Sequence, residues 1–183
     1  NVKYFLSLLL LFFLSCNREP ISIYSNIDGL NHEEILNGPE TLEKHSLELI
    51  YKIDTNLSEE NFKLLIKALN KSSEQLSPYY FNALTFYCNS LKINQKQDLE
   101  AALFNYFIHQ PKSYISNIKK MEIQYSDCFL IAISSYIQEY LSQNEITIIS
   151  MKNLAYKYCE DCSKEEIKFI YDYLDLSNNF QNE

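Results

Sequence analysis

No glycine follows Gly38, and this single absence narrows the fold more than any motif in the chain. Tight two-residue hairpin turns need positive φ, which glycine adopts at no steric cost, so β-hairpins are poorly served across residues 39–183. The same absence removes the phosphate-binding glycine loop, the dinucleotide fingerprint and the Gly-x-Ser-x-Gly elbow from that stretch. Helices need no glycine, and helix punctuation is what the remaining residues supply.

Ser58-Glu59-Glu60 precedes Phe62, Leu65, Ile66 and Leu69, an i, i+3, i+4, i+7 stripe behind a serine cap with acids in the first turn. Ser77-Pro78 places a cap and then proline at the first helical position, ahead of Phe81, Leu84 and Cys88. Ser126-Asp127 is expected to open a helix presenting Leu130, Ile133 and Ile137, and Ser163-Lys164-Glu165-Glu166 reads as a capping box before Ile167, Ile170 and Leu174. Further helices are expected over Pro39–Lys52, Gln97–Gln110, Lys112–Met121 and Glu145–Tyr158. The fold class is therefore all-α: about eight short helices joined by short polar loops, which favour antiparallel neighbours. The starts at Ser77 and Ser126 suggest paired helices in a HEAT-like α–α superhelix, but no side-chain pattern recurs between the pairs, so an irregular helical bundle stands beside it.

Ahead of this region, the apolar run Tyr4 to Leu14 follows Lys3 and ends in Ser15-Cys16-Asn17. Spanning a bilayer takes about 20 apolar residues, so the run is too short to cross one, but it has the length of a signal-peptide core. It resembles a bacterial lipoprotein signal peptide, with Phe13 where leucine is usual and Leu14 where a smaller residue is usual. The resemblance implies that Cys16 becomes the mature N-terminus, carries acyl chains and anchors the protein at the cell envelope; two or more chains hold a protein firmly to a membrane. In such proteins Asn17 favours outer-membrane over inner-membrane delivery where the cell has two membranes. The expected organisation is a leader over 1–15, a flexible tether over 16–38 carrying Pro20, Gly29 and Gly38, and a single helical domain over 39–183.

The chain carries 16 basic and 24 acidic residues, a net charge of −8, and losing Lys3 with the leader takes the mature protein to −9. That balance argues against nucleic acid and against electrostatic attachment to anionic lipid, and favours a basic partner. The 15 tyrosines and 11 phenylalanines read as core and groove packing rather than a ligand platform.

Chemistry is sparse. Cys88, Cys128, Cys159 and Cys162 are an even set in an exported chain, open to three disulfide pairings or to burial as thiols. Cys159-Glu160-Asp161-Cys162 is the one compact motif; flanking acids raise a thiol pKa and oppose redox reactivity, and two ligands do not make a zinc site. His32, His45 and His109 lack a metalloprotease spacing, and His32-Glu33-Glu34 reads as a solvated charge run in the tether. Glu59, Glu60, Glu165 and Glu166 read as helix-start charge. No catalytic, cofactor-binding or metal-ligating set is named, and the expectation is a non-enzymatic, membrane-anchored protein-binding or scaffold module. The alternative is an immunity or inhibitor lipoprotein that neutralises a basic exported toxin or hydrolase.

Overall fold

A computed structural model describes residues 31–55, 58–71, 76–89, 92–121 and 123–179. The leader, Cys16, Asn17 and residues 16–30 of the expected tether lie outside the described residues. Those described form nine α-helices and no strand: α1 (His32–Asn37), α2 (Leu42–Ile50), α3 (Glu59–Lys71), α4 (Ser77–Ala83), α5 (Ile93–His109), α6 (Pro111–Ile118), α7 (Ile123–Asn144), α8 (Ile148–Lys157) and α9 (Lys164–Asn179). A 3-10 segment, Leu84–Asn89, continues α4. No helix among the described residues is long and apolar enough to cross a membrane.

Several starts are set by local chemistry. Ser58 Oγ accepts from Asn61 N at 3.1 Å, and at α9 Ser163 N donates to Glu166 Oε2 at 2.7 Å while Glu166 N donates to Ser163 Oγ at 3.2 Å. Each such cap satisfies backbone donors that a helix leaves open. Thr41 and Thr147 cap α2 and α8 by accepting from the amides of Lys44 and Ser150. Two expected caps do something else. Ser77 lies inside the start of α4, where its buried hydroxyl accepts from Tyr106 Oη at 3.0 Å. Ser126 lies inside α7, which begins at Ile123, and bonds back to the Ile123 carbonyl at 2.8 Å.

The stretch read as tether also changes character before Gly38. Asn31 caps α1, and α1 packs on α2. Its His32 is half-buried, with Nδ1 2.7 Å from Tyr51 Oη and Nε2 3.0 Å from Tyr79 Oη. His32 is therefore a packed anchor and not part of a solvated run; Glu33 and Glu34, in the same turn, are exposed. Both ring nitrogens are used by neutral hydroxyls, and burial holds the imidazole pKa below its ordinary value.

Helices two apart in sequence pack side by side: α3 on α5, α5 on α7 and α7 on α9, with α2 on α4 and α4 on α6. Consecutive helices pack as well, α3 on α4 and α8 on α9. The C-terminal end departs from nearest-neighbour stacking, because α9 also reaches α6 and α5 also reaches α8.

At the centre, the Phe81 ring meets Tyr106, Tyr114 and Phe129 at centroid distances of 5.7, 5.5 and 4.9 Å. Phe107 packs on Tyr114 and Tyr173. Buried phenols need partners, and these find one another: the Tyr114 and Tyr173 hydroxyls lie 2.6 Å apart, and Asn117 Nδ2 donates to Tyr106 Oη at 3.1 Å. Burial pushes the pKa values of Tyr114 and Tyr173 upward, so both stay neutral.

Without glycine, two turns force ordinary residues to positive φ: Lys52 at 55° and Glu145 at 53°. Lys52 closes α2 in a Schellman arrangement, with Ile53 N donating to Glu48 O at 2.8 Å and Lys52 N to Leu49 O at 3.1 Å.

Three substitutions test this core and this turn. Phe81→Ala is expected to cost about 3–5 kcal/mol by opening a cavity, and Tyr114→Phe about 1–2 kcal/mol by stranding the Tyr173 hydroxyl, both read from urea midpoints. Lys52→Gly is expected to gain about 0.5–1 kcal/mol because glycine relieves the left-handed strain; a loss in the same measurement contradicts that account.

Candidate functional site

The strongest candidate is a cleft of about 550 Å³ between α5 and α7, walled by a disulfide. From α5 come Lys96, Leu99 and Glu100; from α7 come Gln124, Asp127, Cys128, Ile131 and Ala132. Helical periodicity explains both sets, since residues three and four apart share a face. Cys88, in the 3-10 segment, is bonded to Cys128 with a Cα–Cα distance of 5.9 Å, which fixes that segment against α7. The bridge spans 40 residues of sequence, worth about 4 kcal/mol of denatured-state restriction, against about 2 kcal/mol for the short Cys159–Cys162 loop.

Glu100 is the unusual group in this cleft. The residue is only 4 % exposed, and its Oε1 has no hydrogen-bond partner. Ser135 hydrogen-bonds the carboxyl, but the nearest cation, Lys96 Nζ, stands 3.7 Å from Oε1 on a side chain that is 58 % exposed. Loss of hydration pushes the Glu100 pKa up; Lys96 opposes this and Glu139 adds to it. Asp127 is exposed on the opposite wall, and Ile123 (79 % exposed) and Ile131 (42 % exposed) sit four residues to either side of it on α7. The cleft thus holds a buried acid and an exposed lysine on the α5 wall and an exposed acid on the α7 wall, with Ile131 as an exposed apolar residue in its lining. Two acids against one lysine leave the ionised lining with a net negative formal charge.

Glu100 escapes the sequence reading because attention there falls on acids that begin helices. A signal exists all the same. Glu100 shares an i, i+3, i+4, i+7 stripe with Leu103, Phe104 and Phe107, and a carboxylate on an apolar stripe is costly unless it is paired or used.

The other expected site residues are dispersed. Cys159 pairs with Cys162 at a Cα–Cα distance of 5.1 Å, in the corner between α8 and α9 just outside the Ser163 cap. A cleft of about 480 Å³ lies there, where Lys112 Nζ donates to the Asp161 carbonyl at 3.2 Å and the His109 ring packs on Tyr158. His45 lies 3.8 Å from Glu48, His32 lies against Tyr51 and Tyr79, and His109 packs on Tyr158. Among the described residues, no group of three or more His, Cys, Asp and Glu could hold a metal ion. Glu59, Glu60, Glu165 and Glu166 occupy first turns, where the helix dipole favours them. Charge is nonetheless uneven: Lys63, Lys67 and Lys71 line one side of a shallow α3–α5 groove, faced by Asp98.

Glu100→Gln should separate the cost of this buried charge from the rest of the protein. An acid whose folded pKa is raised stabilises the fold only below its unfolded value, and that contribution disappears as pH climbs through the folded value. The variant is therefore expected to match the parent near pH 4 and to exceed it increasingly as pH rises toward 7 in parallel urea titrations. A constant difference across pH would contradict a desolvated carboxylate.

Compared with known proteins, the chain matches no family model, no curated protein and no solved structure.

Proposed function

We propose that this protein is an exported lipoprotein, anchored at the bacterial envelope through Cys16, whose helical domain binds another protein. The observation that carries the binding half of this reading is the α5–α7 cleft, lined by a buried acid, an exposed acid and the exposed Ile131, with the exposed Ile123 one turn before Asp127 on α7. Protein recognition sites combine a desolvated centre with apolar contact area and a polar rim, and this face has those components. Scattered surface apolar residues need no explanation, but apolar residues flanking an acidic cleft do. The anchor half rests on the Tyr4–Leu14 run and the cysteine that ends it.

The same cleft favours a second reading, that of an immunity or inhibitor lipoprotein directed at a basic exported toxin or hydrolase. A net charge of −8 accelerates encounter with a basic enzyme, and an acid at the contact favours holding it. The two readings share the anchor and the surface and differ in what the partner does.

Expressed with its leader, the protein is expected to partition into detergent and to gain the mass of a diacylglycerol on Cys16, whereas Cys16→Ala stays aqueous and unprocessed. On the partner side, the domain is expected to retain a basic protein from envelope extracts, and Asp127→Lys to release it. An unmodified cysteine would end the anchor reading. Retention unaffected by Asp127→Lys would end the assignment of the binding face.

A further inference from the structure

We infer that the α5–α7 cleft is a socket for an arginine side chain projecting from a basic partner. This rests on the protein-binding reading above and adds the chemistry of the contact. The cleft volume of about 550 Å³ lies within the range of small-ligand pockets and is ample for one guanidinium and its stem.

Three observations select a cation of this kind. The carboxylate of Glu100 is 96 % removed from solvent and keeps one oxygen, Oε1, without a hydrogen bond. An acceptor left in that state costs free energy until a donor arrives, and a charged donor recovers most. Asp127 supplies a second negative group on the facing wall, with the exposed Gln124 beside it. Leu99, Ile131 and Ala132 line the same cleft and offer apolar surface to a methylene stem.

Arginine fits better than lysine. Its planar fork donates in two directions at once and is weakly hydrated, so it enters a desolvated acid site at lower cost than an ammonium does. The protein's own lysine illustrates the point, because Lys96 stops 3.7 Å short of Oε1 and leaves that oxygen unbonded. Lys96 acts as a weak internal competitor on an exposed stem, and an incoming guanidinium displaces it.

The test uses the described domain within the full mature chain and two short capped peptides, Gly-Arg-Gly and Gly-citrulline-Gly. Citrulline has nearly the shape of arginine without its charge. In ¹H–¹⁵N titrations the arginine peptide is expected to produce saturable shifts at residues 96–100 and 124–132, while the citrulline peptide binds at least about tenfold more weakly. Glu100→Gln and Asp127→Asn are each expected to weaken arginine binding about tenfold or more. Lys96→Ala is expected to strengthen it by about threefold, an effect that a merely structural lysine would not produce. Equal binding of the two peptides by the unaltered protein, shifts mapping elsewhere, or no saturation would overturn the socket, and none of these readings depends on a variant folding. Failure here leaves the partner-binding reading standing, since that is decided by retention and its loss in Asp127→Lys. A working socket in a protein that retains no partner would overturn that reading and not this one.

Discussion

The hydrogen-bonded aromatic centre is the constraint on which the other features rest. Phe81 brings together rings from α5, α6 and α7, and Tyr114 joins α6 to Tyr173 on α9 through a 2.6 Å hydroxyl contact. Each phenol contributes a large apolar body and a polar tip that must be matched in place. Because Tyr106 donates to Ser77 and accepts from Asn117, its ring cannot rotate away without losing two buried hydrogen bonds. The position of α5, and therefore of Glu100, follows from that locked geometry. A core of leucine alone would hold the helices together without specifying their register so tightly.

The two disulfides divide the labour in a way that relates to the cleft. Cys88–Cys128 joins segments distant in sequence and forms one wall of the acidic cleft, so it restrains the unfolded chain and the site together. Cys159–Cys162 closes a local corner beside the α9 cap and restrains little else. Electrostatics are likewise local. An acidic protein carries its buried carboxylate between α5 and α7, while α3 presents a row of lysines to a separate groove. Net charge alone conveys neither arrangement.

Much of the secondary structure is legible from short-range chemistry. The capping box at Ser163 and the serine cap at Ser58 use donors and acceptors three residues apart, so their geometry is contained in the sequence. Ser77 and Ser126 show where such reasoning stops. Ser77 is taken by Tyr106, a residue 29 positions away, and Ser126 bonds to a carbonyl within its own helix. His32 is a third case, because its polar neighbours suggest solvent while its partners, Tyr51 and Tyr79, belong to other helices. Leaving a buried polar group unpaired costs about 1–3 kcal/mol, enough to override a local capping preference of about 0.5–2 kcal/mol.

By itself, the sequence determined that this is an all-α chain, because it lacks the glycines that tight strand connections need and repeats the caps and apolar spacings that helices need. It also sets the acidic character, and it carries the Tyr4–Cys16 run on which the proposal of an envelope anchor rests. Which cysteines join, which glutamate is buried, and which acids line one cleft were decided only by the tertiary structure. Those outcomes depend on how α5 and α7 lie against each other, a relation between residues tens of positions apart that no local period encodes. The physical reason is that desolvation is a property of the assembled interior. Glu100 is an ordinary surface-type residue until the packed faces of α5 and α7 remove its water.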